Sequence, residues 1–512
     1  MMDSPFIKEA EFIVTGAFKV DNPCGAGIAL YCPKSIISFI TCDSYFIRCI
    51  EQAWHIFFEE HIGKDLSSLG INVRVKGLGL KRQGKAGSME ADYFRSVIPG
   101  NGYEEEIPYH SLNPGVLKAD FYHRYIEVPV DYSNRDAGSF KLYYELDSGF
   151  DPDSPTILIP TDGQRLYSQA GWADRYKKIF SLESNVVTYE YRGMSLSPVK
   201  CLQPGNWVQA YRILNTDNVV EDIESIRRDI LGNREVNILG GSGIAMMGLK
   251  YISKYYRHVR RAFLMSFFRD ASGSSEAGRR YFRAFIEKNG LKEDMAKIIA
   301  SRPEDVSQLL FMAQKLLYYD EGEAVLLISG TASGTSDRFD RYLEKMGTSD
   351  FFIRFYRKYC PWSVVFMFET NIRTADDGYP DINYPYLQIG EPLSRLQCSE
   401  LAEFRPFDIK GLEKAQTEIL LLAGTLDQVA PLDEMEKIHH LLPDSRLAVF
   451  DAYHCLQVSQ EARKTRNLSA NIFFRHGLHS KELDDYLQSR EGKGKFIKFY
   501  EKPGNSAIMK QG

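Results

Sequence analysis

The stretch Val236-Asn237-Ile238-Leu239-Gly240-Gly241-Ser242-Gly243-Ile244-Ala245 decides how the rest of the chain is read: an apolar strand ends in small residues around one serine and then opens an apolar helix. A serine at the tip of so tight a strand-to-helix turn has its hydroxyl held clear of its own backbone. The N–H of the next residue, Gly243, then points to where an oxyanion would form. Ser242 is a candidate nucleophile, and its partners should sit at the ends of other strands.

Two such residues are present. Ile419-Leu420-Leu421-Leu422-Ala423-Gly424-Thr425-Leu426-Asp427 sets an aspartate just after a buried apolar run, and Val449-Phe450-Asp451-Ala452-Tyr453-His454 sets a histidine just after the next. Around them, strands alternate with longer segments. Residues 123–131 and 140–146 read as an antiparallel pair, and 156–160, 186–191, 262–267, 418–423 and 446–450 as buried strands. A helix is expected at 220–231 and another directly after the serine. That alternation predicts an α/β fold, a mostly parallel sheet with helices on both faces. Ser242, Asp427 and His454 then fall at the carboxyl ends of three strands, on one edge, in the order Ser, Asp, His.

The alternation lapses between residues 270 and 406, where aromatic-rich helical stretches at 305–319, 338–346 and 350–359 precede a Gly-, Pro- and Tyr-rich coil at 376–386. So long an insertion between two core strands predicts a helical lid. Phe352, Tyr356, Trp362 and Phe366 are its candidates for lining a substrate pocket. Glu369, Asp376 and Asp377 read as a solvated loop face. The expected organisation is a small α+β unit at 1–113, a core at 114–269 and 407–480 interrupted by the lid at 270–406, and a polar peripheral tail at 481–512. Within the first unit, strands are expected at 10–20, 26–41 and 71–75 and a helix at 44–61.

Composition narrows the function classes. The 512 residues are 44% hydrophobic and 26% charged, as in a globular protein able to bury a large core without disulfides or metal. A net charge of −5 with no basic block argues against nucleic acid as a partner. The eight cysteines lack the close pairs of a structural zinc site. The first ten residues carry neither a cationic nor an apolar leader segment, and residues 27–50 are interrupted by Pro33, Lys34, Asp43 and Arg48. No transmembrane segment is expected, and reduced thiols in a cytoplasmic setting are the simplest reading. Serine-based chemistry needs no metal and no cofactor.

The residues from about 121 to 463, the lid excepted, resemble the α/β-hydrolase superfamily, and within it the proline-iminopeptidase-like serine hydrolases. Tyr125-Ile126-Glu127-Val128-Pro129-Val130-Asp131-Tyr132 is similar to their opening strand, and Tyr189-Glu190-Tyr191-Arg192-Gly193-Met194-Ser195-Leu196-Ser197 to their Asp-x-Arg-Gly-x-Gly-x-Ser segment. The resemblance implies a Ser242–His454–Asp427 triad and an acyl-enzyme. It also implies an oxyanion hole from the Gly243 N–H and one N–H of Asp162, Gly163 or Gln164. Expected substrates are a small-molecule acyl compound or short peptide, cleaved at an ester, thioester or amide. Two departures bear on this. Ile244 stands where the family has the second glycine of Gly-x-Ser-x-Gly, and the loop after the third core strand reads Thr161-Asp162-Gly163-Gln164, whose acidic side chain would oppose a developing oxyanion unless Asp162 turns away. These departures motivate the alternative of a hydrolase-fold binding or scaffold protein without turnover.

The first hundred residues are similar to the small acyl-carrier subunit of malonate decarboxylase, with Ala26 where the carrier's modified serine would stand. That likeness implies a degenerate docking module, and with it an acyl-carrier partner and acyltransferase or thioesterase chemistry. Arg192 and Gly193 read as holding the loop after the fourth core strand. His439 and His440, on a helix at 432–442, read as surface residues, and Cys455 as a packing residue.

Overall fold

Short apolar runs rich in Val, Ile and Leu, bounded by glycine, proline and acidic residues, become the strands of two sheets. The computed structural model describes residues 121–164, 172–194, 196–317, 321–335, 337–340, 342, 353, 356–357, 360–371, 382–396, 406–456, 460–490 and 496–500, together with the backbone of the strands between residues 7 and 95. The first sheet contains β1 (Ile7–Ile13), β2 (Gly16–Asn22), β3 (Gly25–Cys32), β4 (Ser35–Phe39), β5 (Asn72–Gln83), β6 (Ala86–Ala91) and β7 (Phe94–Arg95). Its order is β1-β5-β6-β4-β3-β2, with β7 beside β5. The single strands expected at 10–20 and 26–41 each prove to be two. The second divides at Pro33-Lys34, since proline has no N–H to give a ladder. The helix expected at 44–61 lies outside the described residues.

The second sheet carries the site. Its strands are β8 (His123–Pro129), β9 (Ser139–Leu146), β10 (Thr156–Ile159), β11 (Asn185–Tyr189), β12 (Val236–Gly241), β13 (Val259–Met265), β14 (Glu418–Gly424), β15 (Ser445–Phe450) and β16 (Phe496–Tyr500), in the order β16-β15-β14-β13-β12-β10-β11-β9-β8. β10 to β15 run parallel. β8 and β9 pair antiparallel at one edge and β16 lies antiparallel on β15 at the other. This strand order is that of the α/β-hydrolase fold.

Helices cover both faces, as an apolar parallel sheet requires. On one side, Val236 and Ile238 of β12 and Leu421 and Ala423 of β14 pack with α2 (Trp207–Leu214), α3 (Thr216–Leu231) and α4 (Gly243–Tyr255). On the other, Leu239 and the alternate residues Leu420 and Leu422 meet α1 (Trp172–Ile179), α12 (Gln460–His476) and α13 (Lys481–Gln488). α3 begins at Thr216, four residues before the expected start, because Asn215 caps it by accepting the Asn218 N–H.

Between β13 and β14 stands the helical insertion: α5 (Ala271–Lys288), α6 (Lys292–Ser301), α7 (Val306–Leu317), α8 (Glu321–Ser333), α9 (Pro361–Thr370) and α10 (Tyr384–Leu396). α11 (Leu432–Leu441) connects β14 to β15. The segment from Lys481, expected to be peripheral, instead forms α13 and the edge strand β16, with Leu483, Leu487 and Phe496 buried. Leu483, Tyr486 and Leu487 do recur at helical spacing and Phe496-Ile497-Lys498-Phe499-Tyr500 is a short apolar run, a signal that the surrounding charged residues obscure. Among the described residues no helix is long and apolar enough to cross a membrane.

Strand order also decides where a site can form. β10 lies between β11 and β12, so the chain leaves β10 in one direction and later crosses back to its other side. The loops leaving the carboxyl ends of β10 and β12 therefore start in different directions, and it is at such a point that an open α/β sheet forms its binding crevice. Residues 160–164 and Ser242 are the two lips of that crevice.

Candidate active site

Ser242 follows β12 and precedes α4, with φ 56° and ψ −132°. A non-glycine residue tolerates such a conformation only where its surroundings impose it. Here the Ser242 N–H donates to Met265 O at 2.9 Å, and its carbonyl accepts from Met246 N at 3.1 Å, pinning the turn to β13 and α4. Small residues make the turn possible. A Cβ on Gly240 would stand 2.9 Å from Ala245 N, and one on Gly241 would be 3.1 Å from Cys455 Sγ. Ile244, at the last position of a Gly-x-Ser-x-Gly pattern, packs half-buried against the core on the α12 face, so its bulk points away from the turn.

Asp427 and His454 are brought together. Nδ1 of His454 lies 2.9 Å from Asp427 Oδ1 and 3.0 Å from Oδ2, in a pair that is buried. The Asp427 carboxylate also accepts the N–H groups of Val429 and Ala430, each at 2.9 Å, which fixes its orientation. The chain after β15 reaches across the end of β14 because Gly424 leaves room for the Ala452 carbonyl, and the N–H of Leu426 bonds that carbonyl at 3.0 Å. Cys455 and Leu456 take left-handed conformations, φ 52° and 56°, to turn His454 inward. The Cys455 N–H is held by Ser266 Oγ at 2.9 Å. Burial disfavours a charged imidazole, but the Asp427 carboxylate, with Cys455 adding to it, outweighs that and holds the His454 pKa well above 6.5.

The opposite lip is Thr161-Asp162-Gly163-Gln164. Asp162 is buried, and its Oδ1 accepts the Gln164 N–H at 3.0 Å. Its Oδ2 lies 2.6 Å, and Gln164 Nε2 2.9 Å, from where a Cβ on Gly243 would stand. The acidic side chain thus faces Gly243, and of the three expected backbone donors on this loop Gln164 is already engaged. α9 of the insertion is clamped over the same loop. Phe366 and the Trp362 carbonyl fill the space beside Gly163, the Ser363 hydroxyl donates to the Gly163 carbonyl, and Tyr356 OH donates to Gln164 O at 3.4 Å. Tyr356, Trp362 and Phe366 are all buried, so they pack the insertion onto the loop. Phe352, Asp376 and Asp377 lie outside the described residues.

Other expectations are revised by burial. Glu369, read as solvated, is only 4% exposed and accepts the Thr216 N–H at 2.9 Å, joining α9 to the first turn of α3. His439 is buried and bonded to Ser445 Oγ at 2.8 Å, because α11 lays that face on β15. Arg192 does hold its loop. Fully buried, it makes two 2.7 Å bonds to Asp222 and bonds the carbonyls of Val130 and Ile213 at 2.8 Å. Ser266 and Asp222 carry no signal in the sequence, where a polar residue at a strand end or within a helix looks ordinary.

No family model and no curated protein matches the chain. Among solved structures it is similar to a serine hydrolase from the polyaromatic-hydrocarbon-degrading bacterium Cycloclasticus zankles, at 16% identity over 69% of this chain and 98% of that one, with a TM-score of 0.37. The 2-hydroxy-6-oxo-6-phenylhexa-2,4-dienoate hydrolase of Rhodococcus matches at 15% identity over 68% and 99% of the two chains, TM-score 0.36. A thermophilic esterase from Thermogutta terrifontis matches at 16% over 69% and 98%, TM-score 0.35.

Proposed function

We propose that the chain is a serine hydrolase. Ser242 attacks the carbonyl carbon of an ester, thioester or amide, and His454 takes its proton. Asp427 holds the imidazole in the tautomer with Nδ1–H toward itself and steadies the imidazolium. The Gly243 N–H receives the oxyanion, the leaving group departs with the proton from His454, and water releases the acyl group by the same steps in reverse. The helical insertion serves as the lid over a small or medium acyl substrate or short peptide. The observation that carries this reading is the buried His454–Asp427 pair on the same sheet edge as a serine in strained elbow geometry.

The test is labelling by a fluorophosphonate probe, with intact-mass detection of the adduct. The parent should gain one adduct and Ser242→Ala none; equal labelling of the two removes Ser242 from the role. Exposure to p-nitrophenyl esters, aminoacyl anilides and acyl thioesters then separates esterase, peptidase and thioesterase or acyltransferase activity by the adduct that persists. A second reading, a binding protein on a hydrolase fold, is favoured by the Asp162 carboxylate beside Gly243. It predicts no adduct from any of these compounds.

A further inference from the structure

An oxyanion in this architecture has two sources of support: the N-terminal end of the helix that follows the nucleophile, and an N–H from the loop across the crevice. In this molecule one side chain occupies the second and stands beside the first. Oδ1 of Asp162 takes the Gln164 N–H at 3.0 Å, and Oδ2 stands against Gly243, the first residue of the thirteen-residue helix α4. The carboxylate is buried, and the loop that bears it is pinned from above by Ser363 and Tyr356. A fixed negative charge in a low-dielectric crevice opposes a second negative charge developing within a few ångströms.

We propose that the Asp162 side chain is an internal competitor for the oxyanion hole, holding the site in a resting state from which turnover proceeds only when this carboxylate is displaced or its charge removed. The inference rests on the serine-hydrolase reading. It assigns to Asp162 a control over rate that is separate from the triad. Displacement frees the Gln164 N–H for the substrate oxygen and leaves the end of α4 to stabilise it. Gln164 Nε2, 2.9 Å from where a Gly243 Cβ would stand, remains on that lip as a neutral donor.

The experiment compares fluorophosphonate labelling rates of the full-length parent, Asp162→Asn, Asp162→Ala and the double variant carrying Ser242→Ala, with thermal unfolding of each as the folding control. Asp162→Asn keeps the shape and removes the charge; Asp162→Ala removes the competing group. Both should label at least ten-fold faster than the parent, and the double variant not at all. Gain of reactivity is a readout that loss of a merely structural turn would not produce. Folded variants that label no faster than a parent whose labelling depends on Ser242 overturn the role of Asp162 and leave the hydrolase reading standing. Absence of Ser242-dependent labelling in every protein, including both Asp162 variants, overturns both. If Asp162→Asn does not fold, Asp162→Ala alone decides by the same criterion. If neither folds, Asp162 is required for the structure itself and the competitor role is overturned.

Discussion

At the scale of single residues, the balance around His454 sets the pH behaviour. A general base must be neutral to accept the serine proton, and Asp427 holds the imidazolium form well above the usual histidine value. We therefore expect kcat/KM for an activated ester to rise with pH along a limb centred above 6.5. Asp427→Asn removes the neighbouring anion, leaving burial to dominate, so the limb should move to lower pH. The rate should fall by about four orders of magnitude through loss of the correct tautomer. A pH–rate profile of the two proteins checks this, and an unmoved limb would count against Asp427 as the partner. The residues themselves were readable in the sequence: Ser242, Asp427 and His454 each follow an apolar run. The Asp162 contact was not, because whether an acidic side chain faces a helix terminus or turns away depends on packing from the far side of the crevice.

Between elements, the insertion is fastened to the core by polar contacts from α9. Glu369 joins α9 to α3, and burial, opposed by Lys250 and the Thr216 N–H, raises its pKa to about 7. A carboxyl whose folded value lies above its unfolded one binds more protons in the folded state. Its effect is neutral below about pH 4 and grows increasingly destabilising up to about pH 7, reaching about 3 kcal/mol. Stability of the parent to thermal unfolding should fall between about pH 4 and about pH 7, and that of Glu369→Gln, whose amide oxygen can still accept from Thr216, should fall less across the same range. Parallel curves for the two proteins would refute the assignment. From the sequence alone a helical, aromatic-rich stretch is expected between β13 and β14, with Glu369 in solvent. A carboxylate inside a helix has a common exposed role, and only the docking of α9 against the first turn of α3 reveals the other.

For the whole molecule, the residues after 480 complete the sheet. β16 covers the edge of β15, which would otherwise present unpaired backbone groups, while α13 buries Leu483 and Leu487 on the core. Truncation after Ser480 should cost about 5 kcal/mol from the three buried apolar side chains. It should lower the unfolding temperature and promote association through the bared edge, measurable by thermal unfolding and light scattering. An unchanged melting curve would make the segment peripheral after all. What the sequence determined by itself is the local vocabulary: which runs form strands, that they alternate with helices, and that a serine, an aspartate and a histidine each follow one of them. Hydrophobic period and turn chemistry are properties of neighbours along the chain. Tertiary structure alone decided the strand order that opens a crevice between β10 and β12, the approach of His454 to Asp427, and the facing of Asp162 toward Gly243. Those depend on which segments distant in sequence share a surface, and burial and close packing choose that only for the chain as a whole.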